Sequence, residues 1–300
     1  MLKASIDLGT NTCLLLIAEV ESGCVNMVLG DYARIIRLGE GVDKTKYLQP
    51  EAIERTLKCL DEYRKIVSTA GILPGDVICV ATSQARDAEN GSEFFARVEA
   101  ELGFGFRVIS GKDEAGLSFK GSLLPNMQAS NQVVIDIGGG STEFVTTNEG
   151  RSIDLGSVRF TERYLKSDPV IDKEFHICLN EIDNKLEVLV DWRNSIASDM
   201  QMLAVAGTAT TLASWHLRLR EFDAAEVEKV QLTSVDLHRM VEELKRMTVS
   251  ERRDQVGIEP KRADVLLAGA MIMWRIMEKL KFQTCNISSR GLRYGVLMDL

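Results

Sequence analysis

Two stretches of this chain repeat one another at an offset of 129 residues: "SIDLGTNTCLLLI" from Ser5 and "VIDIGGGSTEFVT" from Val134. Asp7 aligns with Asp136, Gly9 with Gly138 and Thr12 with Ser141. Each copy has an acid at the end of an apolar run, a glycine two positions later, a hydroxyl three beyond that, and a second apolar run. Internal similarity at this spacing constrains the fold more than any other feature, because it calls for two units of one topology. The length of 300 residues agrees, being long for one core and sufficient for two domains of about 150 residues each.

The periodicity around the hairpins repeats as well. In the first half, strands are expected near residues 3–8, 12–20 and 25–37. A helix follows that starts with Pro50 at its first position, carries Ile53, Leu57, Leu60 and Val67 near one face, and stops at Gly71. A buried strand "DVICVAT", a helix from Ser92, a strand "FRVIS" and a helix from Lys112 come next. The second half places strands near 132–137, 142–147 and 151–158, then helices, "MLAVAG" and a further helix. Both halves therefore read as three strands followed by alternating helix and strand, which predicts two similar α/β domains facing each other across a cleft. Pro125 and the polar run up to Gln132 mark the hinge, so the domains are expected at 1–125 and 126–300, with the last helix packing back on the first domain.

A loop that only reverses the chain needs one or two residues tolerant of positive φ. Gly138, Gly139 and Gly140 followed by Ser141 and Thr142 exceed that need. Successive backbone N–H groups with hydroxyls beside them form a concave anion site, so phosphate is one reading; a glycine-rich turn without a ligand is the other. Thr10, Asn11 and Thr12 form the matching loop of the first half, and Gly207 with Thr208 opens a helix whose N-terminus suits an anion. Asp7, Asp136 and Glu143 end strands or begin them beside these loops, and crowded carboxylates call for a divalent cation; oxygen ligands near phosphates favour Mg²⁺. Alternation along a strand leaves open that Glu143 faces outward.

Other chemistries find no support. Three histidines are too few and too scattered for a zinc site or a catalytic triad, and no GxxxxGK[ST] occurs. A net charge of −8 argues against a broad nucleic-acid-binding face. Six scattered cysteines with no CxxC pair, no apolar run long enough to span a bilayer and no signal-peptide pattern predict a cytoplasmic protein.

The paired "DLGTNT" and "DIGGGSTE" hairpins resemble the phosphate loops of the actin, hexokinase and heat-shock-ATPase superfamily, whose domains are actin-like, or ribonuclease H-like. Within it the chain resembles the exopolyphosphatase and guanosine pentaphosphate phosphohydrolase family. Five further stretches carry this: "VATSQARDAEN" with Arg86, "VISGKDEAGLSFKG" with Glu114, "LGSVRFTERY" with Arg159, "AVAGTATTLA" and "ISSRGLRYGVL". The resemblance implies a metal-dependent phosphoanhydride hydrolase in which Glu114 is the catalytic carboxylate and Asp136 and Glu143 are the stronger metal ligands. Asp113 rivals Glu114 on position alone. Arg86 suits bidentate phosphate binding, or a salt bridge to Asp87 or Glu89. The implied substrates are polyphosphate or guanosine pentaphosphate, and the implied assembly is a homodimer. One departure stands out: Tyr294 occupies a position where the family commonly has an acid.

Overall fold

The computed structural model describes residues 1–124 and 127–299, with Ser83 and Gln84 described by backbone alone. The chain forms two compact units, Met1–Gly121 with Arg290–Leu300, and Ser122–Ser289. The boundary read from the sequence falls on Pro125 and Asn126, outside the described residues.

The first unit is built on strands β1 (Leu2–Leu8), β2 (Thr12–Glu21), β3 (Cys24–Ile35), β4 (Ile78–Ala81) and β5 (Phe106–Val108) in the order β3-β2-β1-β4-β5. β1, β2 and β3 are antiparallel; β4 and β5 run parallel to β1. Its helices are α1 (Val42–Thr45), α2 (Pro50–Thr69), α3 (Ser83–Asp87), α4 (Gly91–Leu102) and α5 (Gly111–Ser122). Alternation along the strands splits their side chains between two faces. Ala4, Ile6, Leu8, Cys13, Leu15 and Ile17 join Leu57, Leu60, Tyr63, Phe94 and Val98 of α2 and α4 in one core. The intervening residues Leu16, Ala18 and Val20 pack instead against Tyr294 and Leu297 of the last helix, Leu292–Met298. α2 begins at Pro50 as predicted, since proline fixes φ and its missing N–H is no loss in the first turn.

The second unit repeats the arrangement. β6 (Gln132–Ile137), β7 (Thr142–Val145), β8 (Gly150–Ile153), β9 (Gln201–Val205), β10 (Gln231–Thr233) and β11 (Thr284–Ile287) form a sheet in the order β10-β11-β9-β6-β7-β8. β6 pairs antiparallel with β7 and parallel with β9, as β1 does with β2 and β4. The helices are α6 (Ser157–Tyr164), α7 (Asp172–Leu186), α8 (Val190–Ser195), α9 (Ala206–Leu217), α10 (Ala224–Val227), α11 (Ser234–Arg246), α12 (Val249–Arg253) and α13 (Leu266–Lys279), and the last helix of the chain is α14. One core joins Val133, Ile135 and Phe144 to Phe160, Phe175, Leu212 and Met271. The two α/β units of common strand order are those the repeat implies. One strand differs: β8 stops at Ile153 rather than running to 158, because Gly156 ends the extended run and Ser157 starts α6. Among the described residues no helix is long and apolar enough to cross a membrane.

Candidate active-site elements

In the first unit the β1–β2 hairpin is closed by the Gly9 N–H donating to the Thr12 carbonyl at 2.9 Å. The loop carbonyls are held from one side: Gly39 N–H donates to Thr10 at 2.9 Å, and Ile36 and Arg37 donate to Asn11 at 2.9 and 3.1 Å. A trans peptide points its C=O and N–H in opposite directions. The N–H groups of Asn11 and Thr12 are thereby turned away from residues 36–39. Asn11 is 5% exposed, and among the described residues neither its Oδ1 nor its Nδ2 has a hydrogen-bonding partner. A buried amide in that state costs about 1–3 kcal/mol.

The ends of β4 and β5 lie beside this hairpin in the same sheet, with Leu8 opposite Ala81 and Ala81 opposite Val108. α3 and α5 start just beyond them, and these place Arg86 and Glu114 together. Arg86 Nη1 donates to Glu114 Oε2 at 2.9 Å and to the Ile109 carbonyl at 2.9 Å. Glu114 is 7% exposed. The rival Asp113 is exposed and accepts from the Ser110 hydroxyl at 2.7 Å, capping the first turn of α5. Arg86 thus meets Glu114, a pairing across 28 positions that the sequence did not indicate; Glu89 receives the Tyr47 hydroxyl.

The β6–β7 hairpin of the second unit copies the first. Gly138 N–H donates to the Ser141 carbonyl at 3.0 Å. Ser157 N–H donates to Gly138, Val158 and Arg159 N–H both donate to Gly139, each at 3.0 Å, and Arg159 Nε donates to Gly140 at 2.7 Å. Three consecutive carbonyls therefore face α6, and the N–H groups of Gly139, Gly140 and Ser141 face the opposite way. Convergent N–H groups of this kind form an anion-binding nest. Arg159 braces that loop from behind. The Thr142 hydroxyl is fully buried and donates to Leu155, so it is directed into the unit.

Asp136, Glu143 and Ser152 occupy one row across β6, β7 and β8. Directly paired residues share a face, so the two carboxylates are neighbours at the mouth of the nest. Glu143 is 1% exposed and accepts from the Ser152 hydroxyl at 2.7 Å, which rules out an outward-facing strand position. Two adjacent carboxylates fit Mg²⁺, which takes one or two protein ligands and completes its shell with water and phosphate. Among the described residues no group of three or more acids, histidines or cysteines gathers as a metal cage.

Gly207 and Thr208 open α9 after Ala206, whose φ of 66° is left-handed. A Cβ on Gly207 would lie 1.9 Å from Arg262 Nη1, so a guanidinium occupies the space glycine leaves. Burial pushes the Arg262 pKa down to about 10, against the opposing pull of Glu259. Thr208 is 6% exposed, with its side chain against Gly269 of α13. Arg262 has no signal in the sequence beyond its charge; the glycine it covers is far away along the chain.

Residues 16–300 match the model of the Ppx/GppA phosphatase family. The chain is 36% identical to the bifunctional 3-dehydroquinate synthase/phosphatase of Fusobacterium nucleatum, over 99% of this chain and 46% of that protein, so it spans about half the length of that relative. It is 35% identical to exopolyphosphatase 2 of Mycobacterium tuberculosis, over 99% of this chain and 98% of that one. The crystal structure of an exopolyphosphatase-like protein superposes with a TM-score of 0.90 at 31% identity, covering 100% of this chain and 98% of the other.

Proposed function

Because the chain belongs to the Ppx/GppA phosphatase family, we propose that it is an exopolyphosphatase, hydrolysing the terminal phosphoanhydride bond of inorganic polyphosphate and releasing orthophosphate. The observation that carries this reading is the nest of Gly139, Gly140 and Ser141 N–H groups beside the Asp136–Glu143 carboxylate pair. Phosphoryl transfer needs phosphates gripped, charge neutralised and a water aimed in line. Each unit carries groups suited to the grip: the Asn11 and Thr12 N–H groups with the Thr10 and Thr12 hydroxyls in the first, and the nest with the Ser141 hydroxyl and Gly207 at the start of α9 in the second. Asp136 and Glu143 would hold Mg²⁺, which would neutralise charge on the phosphates when bound. Glu114 accepts the proton of the attacking water. Arg86, already against Glu114 at 2.9 Å, keeps that carboxylate oriented and offers its remaining donors to a phosphate oxygen.

Short chains are the preferred substrates in this reading. A long polyanion needs repeated cations along its path, and several arginines that could serve are engaged otherwise. Arg293 is clasped by Asp31, Arg262 lies on Gly207, and Arg34 faces Glu62 at 3.6 Å. We place the protein in the cytoplasm, where the free buried thiols of Cys13, Cys59, Cys79, Cys178 and Cys285 remain reduced, and as a homodimer, which sedimentation would test.

The deciding experiment measures orthophosphate released from polyphosphates of graded length at equal concentration of chain ends, from guanosine pentaphosphate and from ATP, with Mg²⁺ and with chelator. Mg²⁺-dependent release from short polyphosphates is expected. Release from guanosine pentaphosphate alone would move the assignment to alarmone hydrolysis. Turnover of ATP only with a sugar acceptor would overturn hydrolysis altogether.

A further inference from the structure

The core of the first unit holds thiols that the site described above does not use. Cys13 follows Thr12 directly, as the second residue of β2, and is fully buried. Cys59 stands on α2 and is 5% exposed. Tyr63, one turn further along α2 and on the same face, donates its hydroxyl to the Cys13 carbonyl at 2.9 Å. That contact seats the helix over the start of the strand, and the two thiols share a hydrogen bond there. The bond from Cys13 holds the Cys59 pKa below the usual thiol value against the opposing effect of burial, while burial and the same bond push that of Cys13 up. A thiol with thiolate character beside one without it pairs a nucleophile with a resolving group. Cys79, in the same core, lies too far away to take part. β1 separates β4 from β2, and Cys79 opposes Ile6 whereas Cys13 opposes Leu8. Two strand spacings put their Cα atoms more than about 9 Å apart, beyond the roughly 7 Å that a disulfide spans.

We propose that Cys13 and Cys59 form a peroxide-responsive dithiol site, which closes to a disulfide tying the residue after the β1–β2 loop to α2. The Cys59 thiolate attacks one oxygen of hydrogen peroxide and the O–O bond breaks. The departing hydroxide takes up the proton Cys59 has shed, which leaves a sulfenic acid and one water. Cys13 Sγ then attacks the sulfenyl sulfur, the S–O bond breaks, and the leaving hydroxide removes the Cys13 proton as a second water. Two thiols have lost two electrons to form the S–S bond, and the peroxide has been reduced to water. A sulfenic acid adds a single oxygen, the smallest intermediate that so closed a site could hold. At about 2.05 Å the S–S bond is far shorter than the hydrogen bond it replaces, so the start of β2 is drawn toward α2 by on the order of half an ångström. Thr12, the next residue back, moves with it. The effect on turnover rests on the proposed role of the Thr10–Thr12 loop in gripping phosphate; the bond itself does not.

The test uses the full chain carrying Cys24→Ser, which removes the exposed thiol, and the same chain with Cys59→Ala added. Each is treated with hydrogen peroxide, remaining thiols are alkylated, and unreduced digests are mapped by mass spectrometry. Phosphate release is measured before treatment, after it, and again after dithiothreitol. The parent protein should lose the mass of two hydrogens, yield a peptide linked through Cys13 and Cys59, and release phosphate about tenfold more slowly until it is reduced. The Cys59→Ala protein should yield no such peptide and keep its own turnover through the treatment. A parent protein in which Cys59 stops at the sulfinic acid, or in which Cys13 stays unlinked, would overturn the proposal, whether or not the alanine variant folds. Equal loss of turnover in both proteins would place the damage elsewhere and overturn the tie to the loop, as would a linked peptide with turnover unchanged. Protein that forms the linked peptide yet releases no phosphate from any substrate would defeat the functional reading and leave the dithiol site standing.

Discussion

Replacing Gly156 by alanine tests the phosphate loop without touching any group proposed to contact substrate. The backbone there, with φ −139° and ψ 153°, is extended and accepts alanine without strain, so any effect comes from what the methyl meets. It would stand 2.3 Å from the Gly139 carbonyl oxygen, 2.4 Å from its carbon and 2.5 Å from the carbon of Gly140. Real Cβ atoms essentially never approach within 3.0 Å, so the glycine loop must retreat by about 0.7 Å or more. The N–H bonds of Val158 and Arg159 to Gly139, both 3.0 Å, would lengthen past useful range. Two lost bonds at about 1 kcal/mol each, with about 1 kcal/mol of residual strain, give a destabilisation of roughly 3 kcal/mol. For a unit the size of Ser122–Ser289 that corresponds to a fall in Tm of roughly 6–12 °C. The N–H nest shifts with the loop, and a misplacement approaching 1 Å lowers turnover by on the order of 10²-fold. Differential scanning calorimetry and phosphate release on the same preparation give both numbers. A variant melting within a degree of wild type with turnover within twofold would show that the loop does not rest on Gly156 and that its carbonyl-inward geometry is wrong.

Glu114→Gln keeps an acceptor for Arg86 but cannot take a proton, so turnover should drop by about 10²–10⁴-fold while polyphosphate binding and Tm hold; near-full turnover would pass the role to another group. Asp136→Asn and Glu143→Gln should each raise the Mg²⁺ concentration for half-maximal activity by about tenfold, and unchanged dependence in both would mean the ion is held by substrate alone. At the start of α11, hydrogen bonds from the Thr233 hydroxyl and then its N–H hold the Asp236 pKa below the usual carboxylate value. Its stabilisation is therefore complete above about pH 4 and is lost as pH falls through the folded-state value, so the Tm gap between wild type and Asp236→Asn, worth about 1 kcal/mol at pH 7, should close in acid.

The repeat made the doubled strand order legible because a hairpin leaves a compact local signature: acid, glycine and hydroxyl within six positions. Helix α2 was legible for the same reason, through Pro50 and its apolar spacing. The strand expected to 158 was lost because "DLGSVRF" alternates like a strand, whereas Gly156 must lie flat under the glycine loop and Ser157 must turn its N–H onto Gly138. Register decides the rest. Whether Glu143 meets Asp136 or solvent depends on which residue it opposes, and a shift of one position would have put it on the other face. The Arg86–Glu114 pair, the Arg293–Asp31 clasp across 262 positions and the seat of Arg262 on Gly207 join residues with no common local pattern. They exist only once strands are ordered side by side.

The close approach of α14 to α5 has a bearing on how the chain is made. A Cβ on Gly295 would lie 1.8 Å from the Leu117 carbonyl oxygen, and one on Gly121 would lie 2.2 Å from that of Gly291, so the two helices meet backbone to backbone. The unit that begins with Met1 is thus closed by residues synthesised after all of Ser122–Ser289. While the ribosome is still working through that span, Leu16, Ala18 and Val20 lack the cover of Tyr294 and Leu297, and the nascent first unit must wait with part of an apolar face open until its own final helix emerges.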